Sequence, residues 1–346
     1  MTTTAAPITT SPVITRYPGN PVLSRADVPY HATMVFNAGV CKFQGRYVMV
    51  FRNDYGEFGN PELQGTNLGL AYSDDGIHWQ VEPTPCWELP AVIEAVSPLY
   101  GGRPPEGEIW RAYDPRLTVI EGQCYMTFAL DTAHGLRGGV ARTADFYHYE
   151  VTSLSLPDNR NMVLLPERVG GQYVRLDRPM PIYSRVRERD RFDIWLTTSP
   201  DLHLWGRERL VLGVEDVPWA NDKIGPAAPP VKTDKGWLTL FHAVDLDRSR
   251  GKNGWEDVWQ KRYSIGVMLL DLEDPARVVA MSKEPLLAPE HPLETSNGFR
   301  HNAVFPGGMI LEPDGEVKIY YGAADTVECL ATAHVDDLLA LCTEPR

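Results

Sequence analysis

Short apolar runs separated by turn residues recur along the whole chain, and five of them share one pattern. Each begins at a glycine, continues as an aromatic or apolar stretch and ends in polar residues, at positions 45–52, 122–129, 171–178, 236–242 and 315–322. Another apolar run precedes each of these, starting at Phe36, Tyr113, Asn161, Ile224 and Asn302. Two apolar runs joined by a glycine-containing turn are typical of a β-hairpin, so the pattern predicts five hairpins.

A third apolar run follows several of these hairpins and ends in a repeated turn signature. The signature is a hydroxyl residue, an aspartate two positions later and an aromatic residue four positions beyond the aspartate, at residues 73–79, 143–149 and 199–205. Hydroxyl and carboxylate side chains accept hydrogen bonds from nearby backbone amides, which explains the polar positions of a tight turn. We expect the aromatic residue to anchor the next outer strand between neighbouring units.

Five repeated units of three to four strands, roughly 45 to 80 residues apart, predict an all-β fold, a five-bladed β-propeller. The alternative that the pattern leaves open is a β-sandwich with coincidental hairpins. Helical periodicity is weak and is confined to a short segment from Val335 to Cys342. We therefore expect one propeller domain over residues 1–346, with an N-terminal extension at 1–18, a short C-terminal helix or tail at 335–346, and a long loop at 97–108.

The composition supports many short strands and excludes some classes of partner. Proline and glycine each occur 29 times, and the net charge of −13 argues against nucleic acid or an anionic membrane as a partner. The five cysteines are widely spaced without a Cys-x-x-Cys pair, so we expect neither a zinc site nor a disulfide framework, and no metal. Because neither a signal peptide nor an apolar run of about 20 residues is apparent, we expect a cytoplasmic protein.

Polar residues converge where the predicted hairpins open. In a propeller the first strand of each unit lines a central channel, and its start lies beside the end of the second strand in the antiparallel pair. These two places carry the following residues, unit by unit: Asn37, Arg52, Asn53 and Asp54; Asp114 and Asp131; Arg160 and Arg178; Lys223 and His242; Asn302 and Asp325. Charged side chains rarely face inward without a partner or a ligand, so this register predicts a binding site in the channel mouth.

Taken alone, each of these residues also has an ordinary structural explanation. Arg52 could form an ion pair with a neighbouring aspartate, His242 could be a hydrogen-bonded core histidine, and Asp114 before a proline could cap a turn. Arg160 and Arg178 could be surface residues. The repetition of polar residues at the same positions of all five units favours a shared site.

Eight motifs, in order along nearly the whole chain, resemble glycoside hydrolase family 130, the inverting β-mannoside phosphorylases. They are VFNAG at 35–39, FRNDYG at 51–56, YSDDGIHW at 72–79, YDPRLT at 113–118, RNMVLLPE at 160–167, DRP at 177–179, KIGPAAPPVKT at 223–233 and WLTLFHAV at 237–244. The resemblance implies a five-bladed propeller that converts a β-mannoside to α-mannose 1-phosphate and a shortened sugar. It also implies that inorganic phosphate is the co-substrate and that no other cofactor is needed.

The same resemblance assigns roles to individual residues. The aspartate of YDPRLT, Asp114, corresponds to the family's single catalytic acid, whose proton is expected to pass through a mannose hydroxyl to the leaving oxygen. The residues implied in phosphate binding are Arg160, Arg178, His242 and Lys223. The residues implied in sugar binding are Asn37, Arg52, Asn53, Asp54, Asp131, Asn302 and Asp325. Because phosphate is the nucleophile, a phosphorylase needs no second carboxylate to activate water, but it does need an anion site.

Other functions stay open on the sequence alone. The motif RADVPYHATMVFNAG at 25–39 most resembles the β-1,2-mannobiose or β-1,2-oligomannan type, with β-1,4-mannosyl-glucose, β-1,4-mannooligosaccharide and mannosyl-N-acetylglucosamine phosphorylases as alternatives. A β-mannoside hydrolase on the same fold would lack the basic residues, and a non-catalytic sugar-binding propeller would not need an acid beside them. We expect the loops at 56–65 and 98–110 to select the acceptor sugar. A homo-oligomer is also left open, since the N-terminal segment could pack on a partner.

Overall fold

Short antiparallel strands make up most of the regular structure in the computed structural model, which describes residues 8–57, 63–180, 192–250 and 260–342. After the two-residue strand β1 (Thr15–Arg16), the described residues form five units. The first unit contains β2 (Met34–Phe43), β3 (Arg46–Tyr55), β4 (Gly65–Ser73) and β5 (Gln80–Val81). The second contains β6 (Ile109–Ile120), β7 (Gln123–Thr132), β8 (Gly135–Thr143) and β9 (Glu150–Leu154).

The remaining units continue this order. The third contains β10 (Asn159–Leu164), β11 (Tyr173–Pro179), β12 (Ile194–Ser199) and β13 (Gly206–Leu212). The fourth contains β14 (Lys223–Pro226), β15 (Val231–Lys232), β16 (Trp237–Leu246), β17 (Lys261–Leu270) and β18 (Val278–Met281). The fifth contains β19 (Val304–Leu311), β20 (Glu316–Ala323) and β21 (Val327–His334), and β1 from the N-terminal region pairs with β21 as its fourth strand.

The five predicted hairpins are confirmed. They are the antiparallel pairs β2–β3, β6–β7, β10–β11, β14–β16 and β19–β20. In the fourth unit the first apolar run forms two short strands, β14 and β15, which both pair with β16. Pro229 and Pro230 lie between these strands, and proline cannot donate a ladder hydrogen bond, so the run is interrupted there.

The first strands of neighbouring units contact each other. β2 contacts β6, β6 contacts β10 and β10 contacts β14, while β19 contacts both β16 and β2. β19 and β2 also pair in parallel at Gly308 and Val40, so the fifth and first units share one eight-stranded sheet. The approach of the first and second units is close, because a Cβ on Gly39 would lie 2.9 Å from the Arg116 Cα. This arrangement gathers the starts of the first strands at one place.

The three turn signatures adopt one structure, as predicted. Ser73 Oγ accepts a hydrogen bond from the amide of Gly76 at 2.9 Å, and Asp75 Oδ1 accepts from the amides of two following residues. The same contacts recur at residues 143–148 and 199–204. The aromatic residue that ends the second signature, Tyr149, packs on buried Trp87 with ring centres 4.7 Å apart, so it joins the first and second units.

Helices are few and short within the described residues. They are α1 (Leu89–Val96), α2 (Pro292–Thr295) and α3 (Val335–Leu341), and none is long and apolar enough to cross a membrane. Helix α3 lies in the segment where the sequence predicts a C-terminal helix or tail. The sequence did not predict α1, which precedes the expected loop at 97–108. Residues 15–16, expected within an N-terminal extension, form β1 in the fifth unit.

Candidate active site

Three first strands carry the same irregularity at the same position. The pairing with the second strand shifts register within β2, β6 and β10. The residue at each shift has a left-handed backbone, with φ of 52° at Asn37, 53° at Asp114 and 58° at Asn161. Asn302, just before β19, has φ of 58°, and Gly225 occupies the corresponding position in the fourth unit. Asparagine and aspartate tolerate this backbone better than other non-glycine residues, and a bulge redirects the side chain that it carries.

A polar pocket lies where these side chains meet. Its lining residues are Asn37, Arg52, Asp114, Arg160, Asn161, Arg178, Tyr263, Arg300, Ala303, Phe305 and Asp325. All five units contribute to this lining. Four arginines and two aspartates stand among these residues, so the lining carries more positive than negative charge. A pocket with this excess favours an anionic ligand in an otherwise acidic protein.

Asp114 is held in a fixed orientation by its neighbours. Its Oδ1 accepts hydrogen bonds from Asn37 Nδ2 and from Arg52 Nη1, both at 3.1 Å. Arg52 is fixed in turn by Asp54, whose Oδ2 lies 2.6 Å from Arg52 Nη2. Thr66 Oγ1 donates to Asp54 Oδ1 at 2.6 Å, so the chain of contacts ends on the buried face of β4.

The pKa values of the two aspartates of the pocket are shifted in opposite directions. Burial raises the pKa of Asp114, but Arg52, Arg116 and Arg160 outweigh burial and lower the pKa below its usual value. Burial raises the pKa of Asp325, although Arg300 Nη1 lies 3.0 Å from its Oδ2. The arginines around Asp114 therefore favour its ionised form, and any reaction that uses it as an acid must first reduce this positive charge.

Two further arginines of the pocket have no carboxylate partner in the part of the chain that the structure describes. Arg160 Nη1 donates to the Tyr113 hydroxyl at 3.3 Å, and Arg178 Nη1 lies 3.4 Å from His242 Nε2. Within the described residues, Nε of each guanidinium is buried without a hydrogen-bond partner. Burial and the charge of Arg160 lower the pKa of Arg178 to about 9. Guanidinium groups with unused N–H donors are suited to hold a phosphate or carboxylate.

Lys223 and His242 lie next to Arg178. Lys223 is buried, and its Nζ lies 5.1 Å from the centre of the Tyr263 ring. His242 Nδ1 donates to the Pro226 carbonyl at 3.2 Å, which leaves Nε2 to accept from Arg178. Burial, and then the charge of Arg178, lowers the pKa of both Lys223 and His242 well below the usual values. We call the following four residues the basic cluster: Arg160, Arg178, Lys223 and His242.

Gly225 allows the basic cluster to pack closely. A Cβ at this position would lie 2.4 Å from His242 Cε1 and 2.8 Å from Arg178 Cδ. Gly225 is also the cross-strand partner of His242 in the β14–β16 hairpin. The position that carries asparagine or aspartate in the other units is therefore glycine in the fourth unit, because a side chain there would displace two members of the basic cluster.

The structure brings half of the twelve sequence-predicted site residues into the pocket lining: Asn37, Arg52, Asp114, Arg160, Arg178 and Asp325. Lys223 and His242 belong to the basic cluster, next to Arg178. The other four residues lie outside the lining within the described part of the chain. They are Asn53, Asp54, Asp131 and Asn302.

These four residues make supporting contacts. Asp54 fixes Arg52. Asn53 is buried, and its Nδ2 donates to the His31 carbonyl and to Asn67 Oδ1, both at 3.0 Å. Asp131 accepts from Arg111 Nε at 2.6 Å and from the Tyr113 hydroxyl at 2.8 Å. The backbone carbonyl of Asn302 accepts from the amide of Tyr263 at 2.9 Å.

Sequence reasoning missed several lining residues: Asn161, Tyr263, Arg300, Ala303 and Phe305. Asn161 could have been found, because it holds the same repeat position as Asn37 and Asp114. Tyr263 lies on β17, the third strand of its unit, where the repeat gives no signal for a site. Arg300 lies in the irregular segment between α2 and β19, outside any motif.

Among the described residues, no group of three or more histidine, cysteine, aspartate or glutamate side chains is arranged to hold an ion. The cysteines are free thiols, and four of the five are buried. The expected loop at 56–65 lies partly outside the described residues, because residues 58–62 are not among them.

Comparisons with known proteins identify the family to which this chain of mostly β-strands belongs. Residues 8–344 match the family model described as beta-1,4-mannooligosaccharide phosphorylase, glycoside hydrolase family 130. The chain belongs to this family and is an enzyme of the glycosyltransferase-type phosphorylases.

Individual relatives are similar over nearly their whole lengths. A beta-1,4-mannooligosaccharide phosphorylase of Ruminococcus albus is 32% identical over 94% of this chain and 90% of its own. A 1,2-beta-oligomannan phosphorylase of a Thermoanaerobacter species is 29% identical over 93% of this chain and 98% of its own. The solved structure of a beta-1,2-mannobiose phosphorylase of Listeria innocua, in complex with beta-1,2-mannobiose, has a TM-score of 0.78 and 25% identity, covering 95% of this chain and 99% of that one.

Proposed function

We propose that this protein is an inverting β-mannoside phosphorylase, which transfers a mannosyl group from a β-mannoside to inorganic phosphate. The products are α-mannose 1-phosphate and a sugar shortened by one residue. The observation that carries the proposal is the pair Arg160 and Arg178, which lie in the same pocket as Asp114 and whose buried Nε groups have no hydrogen-bond partner among the described residues. A hydrolase that activates water has no use for such an anion site.

Asp114 serves as the acid, and the basic cluster holds phosphate. A phosphate oxygen attacks the anomeric carbon as the glycosidic carbon–oxygen bond breaks. The proton of Asp114 passes through a mannose hydroxyl to the departing oxygen. Hydrogen phosphate brings a proton of its own, which the product ester first retains. Because phosphate esters have a second pKa near 6, the ester can then return a proton to Asp114. Atoms and charge then balance, and the products leave as mannose 1-phosphate dianion and a neutral sugar.

Bound phosphate also increases the proton affinity of the Asp114 carboxylate. The pKa of Asp114 is lowered by Arg52, Arg116 and Arg160 despite burial, which raises it. A phosphate dianion bound to Arg160 offsets part of this positive charge, so it raises the pKa of the nearby carboxyl. Binding of the nucleophile thus favours the protonated acid that the reaction requires.

The mannosyl unit occupies the rest of the pocket. Asn37, Arg52 and Asp325 line this part directly, and Arg300 contacts Asp325 at 3.0 Å. Carboxylate, amide and guanidinium groups can each form directed hydrogen bonds with sugar hydroxyls. Asp54, which lies outside the lining, supports Arg52 through an ion pair.

For the linkage we propose β-1,2, as in β-1,2-mannobiose or β-1,2-oligomannan. The support is the similarity to the Listeria innocua and Thermoanaerobacter enzymes named above. A β-1,4-mannooligosaccharide is the second candidate, because the Ruminococcus albus relative acts on that class and is 32% identical.

We also propose that the five units form one closed domain, a five-bladed β-propeller. Five antiparallel units, the side-by-side contacts of their first strands and the pairing of β1 with β21 support this arrangement. A crystal structure tests it. Five blades around a central channel are expected, and a gap between any two neighbouring units would contradict the closed ring.

The assay that tests the function compares product formation with and without phosphate. We expect purified protein to convert β-1,2-mannobiose to mannose 1-phosphate and mannose only when phosphate is present. Proton and phosphorus NMR of the first product should show the α-anomer, because the reaction inverts the anomeric centre. Equal release of mannose without phosphate would identify a hydrolase instead.

A substrate panel separates the remaining alternatives. Initial rates with phosphate are measured on β-1,2-mannobiose, β-1,4-mannobiose, β-1,4-mannosyl-glucose and mannosyl-N-acetylglucosamine. The highest kcat/KM is expected for β-1,2-mannobiose, and a higher value for β-1,4-mannobiose would replace the proposed linkage. Binding of the sugars without turnover of any of them would indicate a non-catalytic sugar-binding protein.

A further inference from the structure

Arg116 joins the bulges of two units behind the pocket. Its side chain is 2% exposed and is absent from the pocket lining. Its Nη1 donates to the Asn37 carbonyl at 3.2 Å and to the Pro115 carbonyl at 2.7 Å, while Nε donates to the Ala227 carbonyl at 2.8 Å. Asn37 lies at the bulge of β2, and Pro115 follows Asp114 at the bulge of β6. One guanidinium therefore ties together the two backbone segments that carry Asn37 and Asp114.

Glu328 binds the same segment of β2. It lies on β21 with 0% exposure, and its Oε2 accepts a hydrogen bond from the amide of Ala38 at 3.2 Å. The carbonyl of Asn37 and the amide of Ala38 belong to one peptide bond. Arg116 holds the oxygen of that peptide bond, and Glu328 holds its nitrogen. The left-handed backbone at Asn37, which costs free energy, is thus held by one buried side chain on each side of this peptide bond.

We propose that Arg116 and Glu328 are positioning residues for the phosphorolysis reaction. They hold the two bulges so that Asn37 Nδ2 reaches Asp114 Oδ1 at 3.1 Å, and the charge of Arg116 stabilises the carboxylate form of Asp114. The effect on the reaction rests on the function proposed above. Neither residue touches the substrate in this scheme, because both act through Asn37 and Asp114.

Arg116 is a charge near Asp114 that can be removed without deleting a side chain of the pocket lining. Charged groups reach Asp114 from each neighbouring element: Arg52 on β3, Arg116 on β6, Arg160 on β10, Arg178 on β11, and Asp325 after β20. All of these except Arg116 line the pocket. A change in the titration of Asp114 in an Arg116 variant therefore reports the charge of Arg116 and not a lost substrate contact.

The first test is the pH profile of kcat for Arg116→Met and Arg116→Lys. Since Asp114 acts as an acid, kcat falls as rising pH removes its proton. Arg116→Met removes a positive charge, so we expect this alkaline limb to move upward by about one pH unit, and kcat at the optimum to fall about tenfold. Arg116→Lys keeps the charge but cannot span three carbonyls, so we expect lower kcat with the limb unmoved.

Variants of Glu328 test the hold on the peptide bond. Glu328→Gln keeps an oxygen that can accept from Ala38, so we expect kcat within about threefold of the wild type. Glu328→Val leaves the amide of Ala38 without an acceptor, and we expect kcat to fall about tenfold with little change in the KM for phosphate. Equal kcat values for the two variants would contradict the proposal that Glu328 fixes the peptide bond between Asn37 and Ala38.

Arg175→Met is the matched control for loss of a buried arginine. Arg175 is 4% exposed, pairs with Asp177 at 2.7 Å and lies outside the pocket lining. We expect this variant to lose thermal stability but to keep the alkaline limb of the wild type. If the limb of Arg116→Met also stays in place, a positioning role for Arg116 is overturned.

A titration that does not need turnover separates this inference from the proposed function. Carbon-13 NMR of aspartate carboxyls, with the Asp114 signal assigned from Asp114→Asn, gives the pKa of Asp114 directly. We expect a higher value in Arg116→Met than in the wild type and in Arg175→Met. An unchanged value would refute the role of Arg116. Failure of the wild type to form mannose 1-phosphate from any β-mannoside would refute only the function.

Discussion

At the scale of single residues, the environment of Asp114 poses a problem that phosphate resolves. Two hydrogen bonds at 3.1 Å, from Asn37 and Arg52, favour a carboxylate, whereas the proposed reaction needs a carboxylic acid. The Arg160 guanidinium adds to the positive charge and is also a ligand for phosphate in our scheme. In this scheme, a group that favours the ionised form of Asp114 is neutralised when phosphate binds. The proposal therefore couples protonation of Asp114 to binding of phosphate.

The first prediction concerns the acid itself. Asp114→Asn keeps the size of the side chain and a carbonyl oxygen for Asn37 and Arg52, but it removes the transferable proton. We expect kcat to fall by about a thousandfold or more, since a general acid contributes on the order of 10² to 10⁴ in rate. Formation of mannose 1-phosphate from β-1,2-mannobiose, followed by phosphorus NMR, measures the loss.

Two aspartates serve as comparisons for this variant. Asp131→Asn makes the same substitution outside the lining, where the carboxylate pairs with Arg111, and we expect kcat to fall by less than about tenfold. Asp325→Asn tests the other pocket carboxyl, whose pKa is raised by burial. Full activity of Asp114→Asn together with an inactive Asp325→Asn would transfer the role of acid to Asp325.

At the scale of elements, the left-handed position in the first strands gives the second prediction. Asn161 has φ of 58°, a conformation that is strained for a β-branched residue and free of strain for glycine. We expect Asn161→Val to lower the free energy of unfolding by about 2 kcal/mol and Asn161→Gly by less than about 1 kcal/mol. Urea unfolding of both variants measures the difference. Equal losses of unfolding free energy would show that asparagine is needed at this position for its side-chain contacts and not for its backbone conformation.

The sequence predicts the hairpins and turns well because their signals are local. Glycine at the hairpin turns and the spacing of Ser73 and Asp75 each reflect contacts within a few residues along the chain. A bulge cannot be recognised from one strand alone, because a single asparagine in an apolar run suggests only that the run is interrupted. The bulges become visible when the five units are aligned and Asn37, Asp114 and Asn161 fall at one position.

The rest of the site could not be predicted, because it depends on contacts between distant elements. Arg300 reaches the pocket from the segment between α2 and β19, and its partner Asp325 is 25 residues away. Tyr263 reaches the pocket from a third strand, where the repeat predicts a strand but no site residue. Helix α1 was missed for a related reason, since its eight residues include a proline and resemble the surrounding loop.

At the scale of the whole molecule, the first and last strands of the described residues pair in the fifth unit. β1 pairs with β21 through Thr15 and Arg16. Arg16 also forms hydrogen bonds with both oxygens of Glu294, at 2.8 Å and 2.9 Å. Glu294 is 1% exposed and accepts a further hydrogen bond from the Tyr321 hydroxyl at 2.9 Å. The N-terminal segment therefore supplies the counter-charge for a buried carboxylate in the last unit.

The third prediction follows from this contact. Arg16→Met leaves Glu294 buried without its cation, and we expect a loss of about 2 kcal/mol in unfolding free energy. The loss is smaller than for a fully buried pair because the Arg16 side chain is 22% exposed. Arg46→Met is the control, since Arg46 pairs with exposed Asp74 at 3.7 Å and should change stability by less than about 0.5 kcal/mol. Equal losses of unfolding free energy in Arg16→Met and Arg46→Met would contradict the stabilising role of the N-terminal segment.

The fourth prediction is that phosphate stabilises the folded protein. Positive charges of the basic cluster repel one another in the pocket, and a bound anion relieves that repulsion. At phosphate concentrations a hundredfold above Kd, linkage gives about 2.7 kcal/mol of stabilisation, which raises Tm by several degrees. Differential scanning calorimetry with potassium chloride at equal ionic strength is the control. Arg178→Ala should lose most of the increase, and an undiminished increase would place the phosphate elsewhere.

The last prediction concerns the pH dependence of stability. Burial and the charge of Arg178 lower the pKa of His242 well below its usual value, so the folded protein keeps this imidazole neutral. In the unfolded chain the imidazole takes up a proton below a pH of about 6.5. The unfolded state then binds more protons, so the contribution of His242 to stability falls as pH decreases from about 6.5, by at most about 1.4 kcal/mol per pH unit.

His242→Gln removes this group, and the test is the difference in unfolding free energy between variant and wild type at pH 7 and at pH 5. The comparison with the wild type is needed because other buried groups titrate in the same pH range with the opposite effect on stability. Burial raises the pKa of Glu328 to about 8, so the contribution of Glu328 to stability falls as pH rises. We expect His242→Gln to gain stability relative to the wild type as pH falls. A constant difference for His242→Gln would mean that the imidazole is protonated in the folded protein.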